Sequence, residues 1–355
     1  MTQVARLVLD EPGVTTFSFS RVRITRLVSF FAFIALFFSA CGRPREPSTP
    51  TKSGELQKVV LQTDWFPQAE HGGFYQALAK GYYKEAGLDV DILPGGPGVT
   101  IKLNVAKGVA DFGMYRSDDV IVAASRGLPL MIVGAVLQHD PEILLVHDAD
   151  PVRALSDLGG RTVIAPLSAT WVQYVQKKYG FKINQVPASY GVTVFLGDPN
   201  ALQQAMITSE PFFVAQRGVK FRTLPLADEN YDPYHTIMCR PELARTKPDV
   251  VRAFLAASIR GWRDYLENDP APANALILKR NAQMSAGQIA FSRDALNARA
   301  LVKGDPAKGE EIGQFSLARI ERQIALLTEL KILEKPVKAE TVATREFLPA
   351  PATKN

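Results

Sequence analysis

The chain has 355 residues, 46% hydrophobic and 22% charged, a balance that fits a globular protein with room for two domains. Its 41 Lys and Arg stand against 36 Asp and Glu, and no concentrated basic run follows the first fifty residues, so nothing marks a nucleic-acid module. With only Cys41 and Cys239, a disulfide framework is excluded.

Residues 1–41 read as an export signal. Arg21, Arg23 and Arg26 precede an apolar run from Leu27 to Phe38, and Ser39-Ala40-Cys41-Gly42 follows. A basic region, an apolar core and small residues before a cleavage point have that form, and the run is too short to span a bilayer comfortably. Ser39-Ala40-Cys41 resembles a bacterial lipobox, with Phe38 where leucine is usual. It implies a lipid on Cys41 that anchors the chain at the periplasmic or outer face of a bacterial membrane. Residues 42–56, rich in Pro, Ser, Thr and Lys, read as a flexible tether.

Val59, Val60 and Leu61 then form a short apolar strand that ends in Asp64-Trp65-Phe66-Pro67, and a helical pattern through Phe74, Ala77 and Leu78 follows. In an open α/β sheet the loop after such a strand faces the ligand crevice. Trp65 and Phe66 therefore read as ligand contacts, with His71 at the helix start as a further candidate. Gly72-Gly73 lets the first helical turn approach a ligand without a Cβ in the way.

The run Trp65-Phe66-Pro67, His71-Gly72, Tyr75 and Lys80-Gly81-Tyr82-Tyr83-Lys84-Glu85-Ala86-Gly87-Leu88-Asp89-Val90 resembles the opening of the thiamine-pyrimidine-precursor binding proteins. These are solute receptors of ABC importers, related to the yeast pyrimidine synthase and more distantly to sulfonate and taurine receptors. The resemblance extends more thinly to about residue 265. It implies a two-lobed, periplasmic-binding-protein-like α/β fold of type II, a thiamine pyrimidine precursor as ligand, and an ABC permease with its ATPase as partners. It also implies a monomer without cofactor.

Further along, strand-like and helix-like segments alternate, as in a mostly parallel sheet covered by helices. Strands are predicted at Leu88–Leu93, Ala110–Met114, Pro129–Leu137 and Ile143–Val146, with helices at Val99–Val109 and Asp118–Arg126. A second series has strands at Arg161–Ala165, Ile183–Val186 and Phe221–Leu224, with helices at Ser168–Tyr179 and Pro199–Ala205. Extended crossings near 147–151 and 231–237 make the first lobe residues 57–147 plus 236–334, interrupted by a second lobe at 151–231. The stripes Val251, Phe254, Leu255, Ser258, Ile259, Trp262 and Leu317, Ile320, Ile324, Leu327 have helical spacing and read as core. Residues 335–355 lack a period and read as a loosely held tail.

No zinc-like His/Cys spacing and no Gly-x-Ser-x-Gly turn appears. The related synthase group carries a lysine for pyridoxal phosphate just after the third strand, a histidine four residues on and a cysteine-rich run after the second crossing. Here Tyr115 and Asp119 stand at the first two positions, and Pro233-Tyr-His-Thr-Ile-Met-Cys239 has one thiol. A Schiff base needs a primary amine, so a binding protein is expected, neither a pyrimidine-synthesis enzyme nor a sensor fused to a kinase.

Tyr115, Asp118, Ser168, Thr170, Trp171, Tyr190, Glu210, Tyr234 and His235 complete the candidate wall. Aromatic faces can sandwich a planar heterocycle, Glu210 or Asp118 can accept from ring amino groups, and Ser168 and Thr170 open a helix that can hold an anionic or formyl oxygen. Each has a structural alternative. Trp171 and Tyr190 read equally as packing, Ser168 and Asp118 as helix caps, Glu210 as a dipole partner, and Tyr234 with His235 as a hinge lock. Riboflavin-like and sulfonate or taurine ligands remain alternatives, because loop side chains change the ligand without changing the fold.

Overall fold

The computed structural model describes residues 55–350 apart from Ser189. The export signal, Cys41, the tether up to residue 54 and the last five residues lie outside the described residues. The chain runs β1 (Gln57–Gln62), α1 (Gly72–Ala79), α2 (Tyr82–Glu85), β2 (Leu88–Leu93), α3 (Ile101–Lys107), β3 (Phe112–Arg116), α4 (Ser117–Ser125) and β4 (Met131–Leu137). It then crosses to β5 (Glu142–His147), β6 (Thr162–Ile164), α5 (Thr170–Tyr179), β7 (Asn184–Val186), α6 (Thr193–Gly197), β8 (Leu202–Met206), α7 (Glu210–Gln216) and β9 (Phe221–Pro225). A second crossing leads to β10 (His235–Cys239) and the helices α8 (Pro241–Thr246), α9 (Pro248–Glu267), α10 (Ala271–Arg280), α11 (Ala286–Ala298), α12 (Leu317–Glu329) and α13 (Ala339–Val342).

Two sheets result, ordered β2-β1-β3-β10-β4 and β7-β6-β8-β5-β9. In each, the fourth strand is the one that arrives from the other lobe, and it runs antiparallel to both neighbours. The two crossings therefore feed directly into sheet-bound strands, which leaves two short connections as the hinge between lobes. β2 shows the local logic: Leu88, Val90 and Ile92 point into the core while Asp89 and Asp91 face water, the period of two that a half-buried strand requires.

Three sequence expectations are corrected here. Glu142–His147 belongs to the second sheet, paired with β8 and β9, so the first crossing lies at 138–141 and not at 147–151. An unbroken apolar run shows that a strand is buried on both faces, but not which sheet it joins. Residues 202–206 form a strand and not a helix. Leu-Gln-Gln-Ala-Met has good helix formers, and pairing on both sides with β6 and β5 overrides that preference.

The third correction concerns the tail. Ala339, Val342, Ala343 and Phe347 are buried, and the Thr344 N–H donates to the Ile132 carbonyl at 2.9 Å. Ala343 and Gly313 bridge to β4 at Ile132 and Ala135, covering the open edge of the last strand of the first sheet. Ala339, Val342 and Ala343 share one face of α13, a single helical turn too short to stand out as a period in the sequence.

The α9 stripe packs on α1 at very close range, where Trp262 stands against Gly73 and Tyr265 against Gly72. Phe254 stacks on Phe112 with ring centroids 4.1 Å apart. Gly261 completes the approach: a Cβ there would clash with the Gly73 carbonyl oxygen and lie 2.7 Å from Ala77 Cβ. Gly261→Ala is therefore expected to destabilise the protein by about 2 kcal/mol, since overpacking costs roughly 1–3 kcal/mol or more and outweighs the ~1 kcal/mol helix preference of alanine. A urea midpoint unchanged or raised would refute this reading of the α1–α9 contact.

Candidate functional site

The loops at the carboxyl ends of β1 and β3, the first crossing, the start of α5 and the β8–α7 loop enclose a cavity of about 280 Å3 between the two sheets. Of the residues singled out from sequence, Trp65, Tyr115, Ser168, Thr170, Trp171, Tyr190, Glu210 and His235 line it. Trp65 of the first lobe and Tyr190 of the second meet across the opening, with ring centroids 5.0 Å apart and planes inclined by 44°. Tyr190 is 52% exposed and holds a φ of +47°, a backbone region costly for a side-chain-bearing residue. The Gln203 side chain donates to the Gly191 carbonyl at 2.7 Å and steadies that turn.

Four candidates stand back from the wall. Phe66 lies edge-on to Trp65 at 5.6 Å, bracing the ring. His71 is fully buried behind Asp64, with Nε2 2.8 Å from Oδ1. Asp118 is buried behind Arg116 and accepts from the Tyr231 hydroxyl. Tyr234 sits in the second crossing, where its hydroxyl accepts the Ser316 N–H at 3.2 Å and the Arg319 guanidinium covers its ring at 3.9 Å. These are hinge and support positions.

Ser168 does not cap α5: the residue before the first helical one is Ala169, without a side-chain cap. Trp171 is buried, and its indole N–H donates to Gln204 Oε1 at 2.7 Å while Gln204 Nε2 donates to Glu142 at 3.0 Å. Its polar handle is thus spent within the protein, and only the ring surface is left for the cavity. One Glu210 oxygen accepts the Met206 N–H at 2.8 Å, so that carboxylate both shapes its loop and lines the cavity. Burial raises the pKa of its carboxyl.

The main electrostatic feature was not read from sequence. Arg116, at the end of β3, contacts Asp118 at 3.3 Å and Asp140 at 3.1 Å, and its Nη1 meets Glu142. All four side chains are buried. His235 lies between Asp140 and Asp64, at 3.5 and 3.6 Å. Burial opposes its charge, but the two carboxylates outweigh that and push it up to about 9. Burial would also raise Asp64, yet bonds to His235 and His71 hold it well below the usual carboxylate range. Glu142 is raised by burial, against the pull of Arg116 and with the push of Asp140 and Asp118.

Five carboxylates, Asp64, Glu70, Asp119, Glu142 and Glu210, line the cavity against two cations, Arg116 and His235, and both cations are already ion-paired with carboxylates. Such a wall is rich in hydrogen-bond acceptors and, among the described residues, offers an anion no unpaired cation. Glu70 and Asp64 lie inside the opening motif and were within reach of sequence reasoning. Gln203, Gln204 and Glu142 were hidden by the misplaced helix and crossing, and Arg116 by its position two residues past an expected strand end.

A family model described as NMT1/THI5 like matches residues 68–273. The riboflavin-binding protein RibY of Chloroflexus aurantiacus is 25% identical over 91% of this chain and 98% of its own length. The formylaminopyrimidine-binding protein of Halalkalibacterium halodurans is 25% identical over 69% of this chain and 76% of its own. Among solved structures, the periplasmic aliphatic sulphonate binding protein SsuA from Escherichia coli is similar with a TM-score of 0.63 at 14% identity, over 84% of this chain and 96% of that one. The last likeness establishes the two-lobed, type II periplasmic-binding-protein-like fold.

Proposed function

Since the chain belongs to the NMT1/THI5-like family, we propose that it is the solute-binding component of an ABC importer and closes its lobes around a small planar nitrogen heterocycle. A thiamine pyrimidine precursor such as formylaminopyrimidine or hydroxymethylpyrimidine is the favoured ligand. The observation that carries this reading is the composition of the cavity wall. Aromatic residues from both lobes meet at its opening, five carboxylates offer acceptors, and each lining cation is already neutralised. A neutral or cationic ring bearing amino groups suits that wall, while a sulfonate would meet many acceptors and, among the described residues, no free cation.

Size separates the remaining alternatives. Pockets for drug-sized ligands span roughly 300–1,000 Å3, and a cavity of about 280 Å3 suits one ring with short substituents better than a three-ring flavin. The N-terminus of α5, formed by Ala169, Thr170 and Trp171 on the cavity wall, can take a formyl or hydroxyl oxygen opposite the acidic side. Ligand contacts with both lobes would favour the closed form, which is how hinge closure is driven.

A binding role is also supported by the corner where the synthase group has its lysine and histidine. Here Tyr115 and Asp119 are tied together by Lys102, whose ammonium lies 4.2 Å from the Tyr115 ring centre and 3.1 Å from Asp119. The amine is engaged from α3 and does not line the cavity. Export and a lipid on Cys41, delivering the loaded receptor to a permease and its ATPase as a monomer, complete the proposal.

Thermal melts of the chain from Glu55 onward, with formylaminopyrimidine, hydroxymethylpyrimidine, riboflavin and taurine, test it. A ligand at about 100 times its Kd stabilises the fold by roughly 2.7 kcal/mol. A clear rise with a pyrimidine, abolished or much reduced in Trp65→Ala, is expected. A rise with taurine alone would overturn the ligand class, and one with riboflavin alone would move the choice to the three-ring heterocycle.

A further inference from the structure

Among the described residues, two acceptors on the cavity wall have no protein donor. Glu70 precedes α1 in the first lobe and is buried; its Oε1 accepts from the Thr208 hydroxyl of the β8–α7 loop, while Oε2 is unpartnered. Gln203 of β8 in the second lobe is also buried. Its amide nitrogen is committed to Gly191, which fixes the amide orientation, and its Oε1 is unpartnered. Both residues line the same cavity. Native proteins leave few buried acceptors unpaired, and those that remain ask for an explanation.

Resting on the solute-receptor reading above, we infer that Glu70 and Gln203 are a pair of specificity-determining acceptors, one on each lobe, that receive N–H donors of the ligand. Because the two residues belong to different lobes, a ligand that donates to both is held fully only when the cleft is closed. Glu70 has a further part in closure. Its second oxygen already accepts from Thr208 across the cleft, and Ser292 of α11 donates to the Thr208 carbonyl at 2.6 Å. A donor on Oε2 would fix the Glu70 carboxylate in the orientation that the Thr208 bond needs. Ligand recognition and the lobe contact then share one side chain.

This assigns the ligand a chemical requirement beyond planarity and lack of negative charge: at least two N–H donors, as on an exocyclic amino group, within reach of both lobes. Oxygen-only or fully alkylated rings of the same size are excluded by it. Neither residue is needed for the aromatic contact at the opening, which depends on Trp65 and Tyr190.

The test is titration calorimetry of the wild-type chain, Glu70→Gln and Gln203→Leu with hydroxymethylpyrimidine and with the same ring lacking its exocyclic amino group. Glu70→Gln keeps an oxygen for Thr208, and melts without ligand report whether each variant folds. Each variant is expected to lose affinity for the amino compound by roughly tenfold or more, the worth of a hydrogen bond to a buried acceptor. It should lose little or none for the des-amino ring, so that discrimination between the two compounds collapses. Unchanged affinities would mean the two oxygens serve only water, and equal losses for both compounds would make them packing residues. Either result overturns the inference. If one variant fails to fold, the other decides. Failure of the wild-type chain to bind any pyrimidine is a separate outcome that rejects the receptor reading itself.

Discussion

Arg116→Met is expected to lower the stability of the protein by about 3–5 kcal/mol at pH 7.5, the range for stripping one partner from a buried ion pair. Three buried carboxylates, Asp118, Asp140 and Glu142, share this guanidinium, and methionine replaces its volume but none of its charge. Asp118 would keep the Tyr231 hydroxyl as donor; Glu142 would keep only the neutral Gln204 amide. The loss should also depend on pH. Without the cation, the stranded carboxyls have raised pKa values in the folded state, so the folded variant takes up protons and regains stability relative to wild type as pH falls from 7.5 toward 5. Urea unfolding followed by tryptophan fluorescence at both pH values measures this. A penalty of the same size at pH 5 and 7.5 would show that packing, and not charge, is what Arg116 supplies.

The same cluster explains why the fold was legible in the sequence and much of the site was not. The opening stretch was readable because its signals are local: a three-residue apolar run, a loop with two aromatic residues, and the start of a helix. Its two glycines were misread, since the space expected for a ligand is filled by Trp262 and Tyr265 of α9. Trp65 at the cavity opening follows from that order of elements alone. Arg116, Asp140 and His235 come together from β3, the first crossing and β10, and no spacing in the chain announces such a meeting. Gln203 and Gln204 carried a helix-like local sequence into a central strand, which hid their place on the wall. An error of topology thus became an error about the site, because in a two-lobed receptor the wall is assembled where strands from both sheets end.

The fold shared with the sulphonate-binding protein does not by itself decide what the wall receives. The fold supplies two sheets, two crossings and a cleft, and the chemistry of the cleft is decided by side chains at strand ends. Asp64, Asp140 and Glu142 stand at the end of β1, in the first crossing and at the start of β5. Acidic side chains at those positions are part of what supports the proposed donor-bearing ligand.

His235 gives this balance a measurable pH dependence. Its pKa is raised from 6.5 to about 9 by Asp140 and Asp64, against the cost of burial, so the folded state holds a proton that the unfolded chain releases. A group raised in this way stabilises fully below pH 6.5 and loses its contribution as pH climbs through 9; a climb from 6.5 to 9 corresponds to about 3 kcal/mol. Asp64 acts at the other end. Its carboxyl is held low, so its contribution is present above about pH 3.8 and fades only in acid. Between pH 6.5 and 9.5, unfolding free energies from urea titrations should therefore decline in the wild-type chain. In His235→Gln they should start lower and stay nearly flat, since glutamine can still donate to one carboxylate but has no proton to lose. A wild-type curve without decline, or a decline that persists in the variant, would reject His235 as the charge that holds Asp64 of the first lobe and Asp140 of the first crossing together.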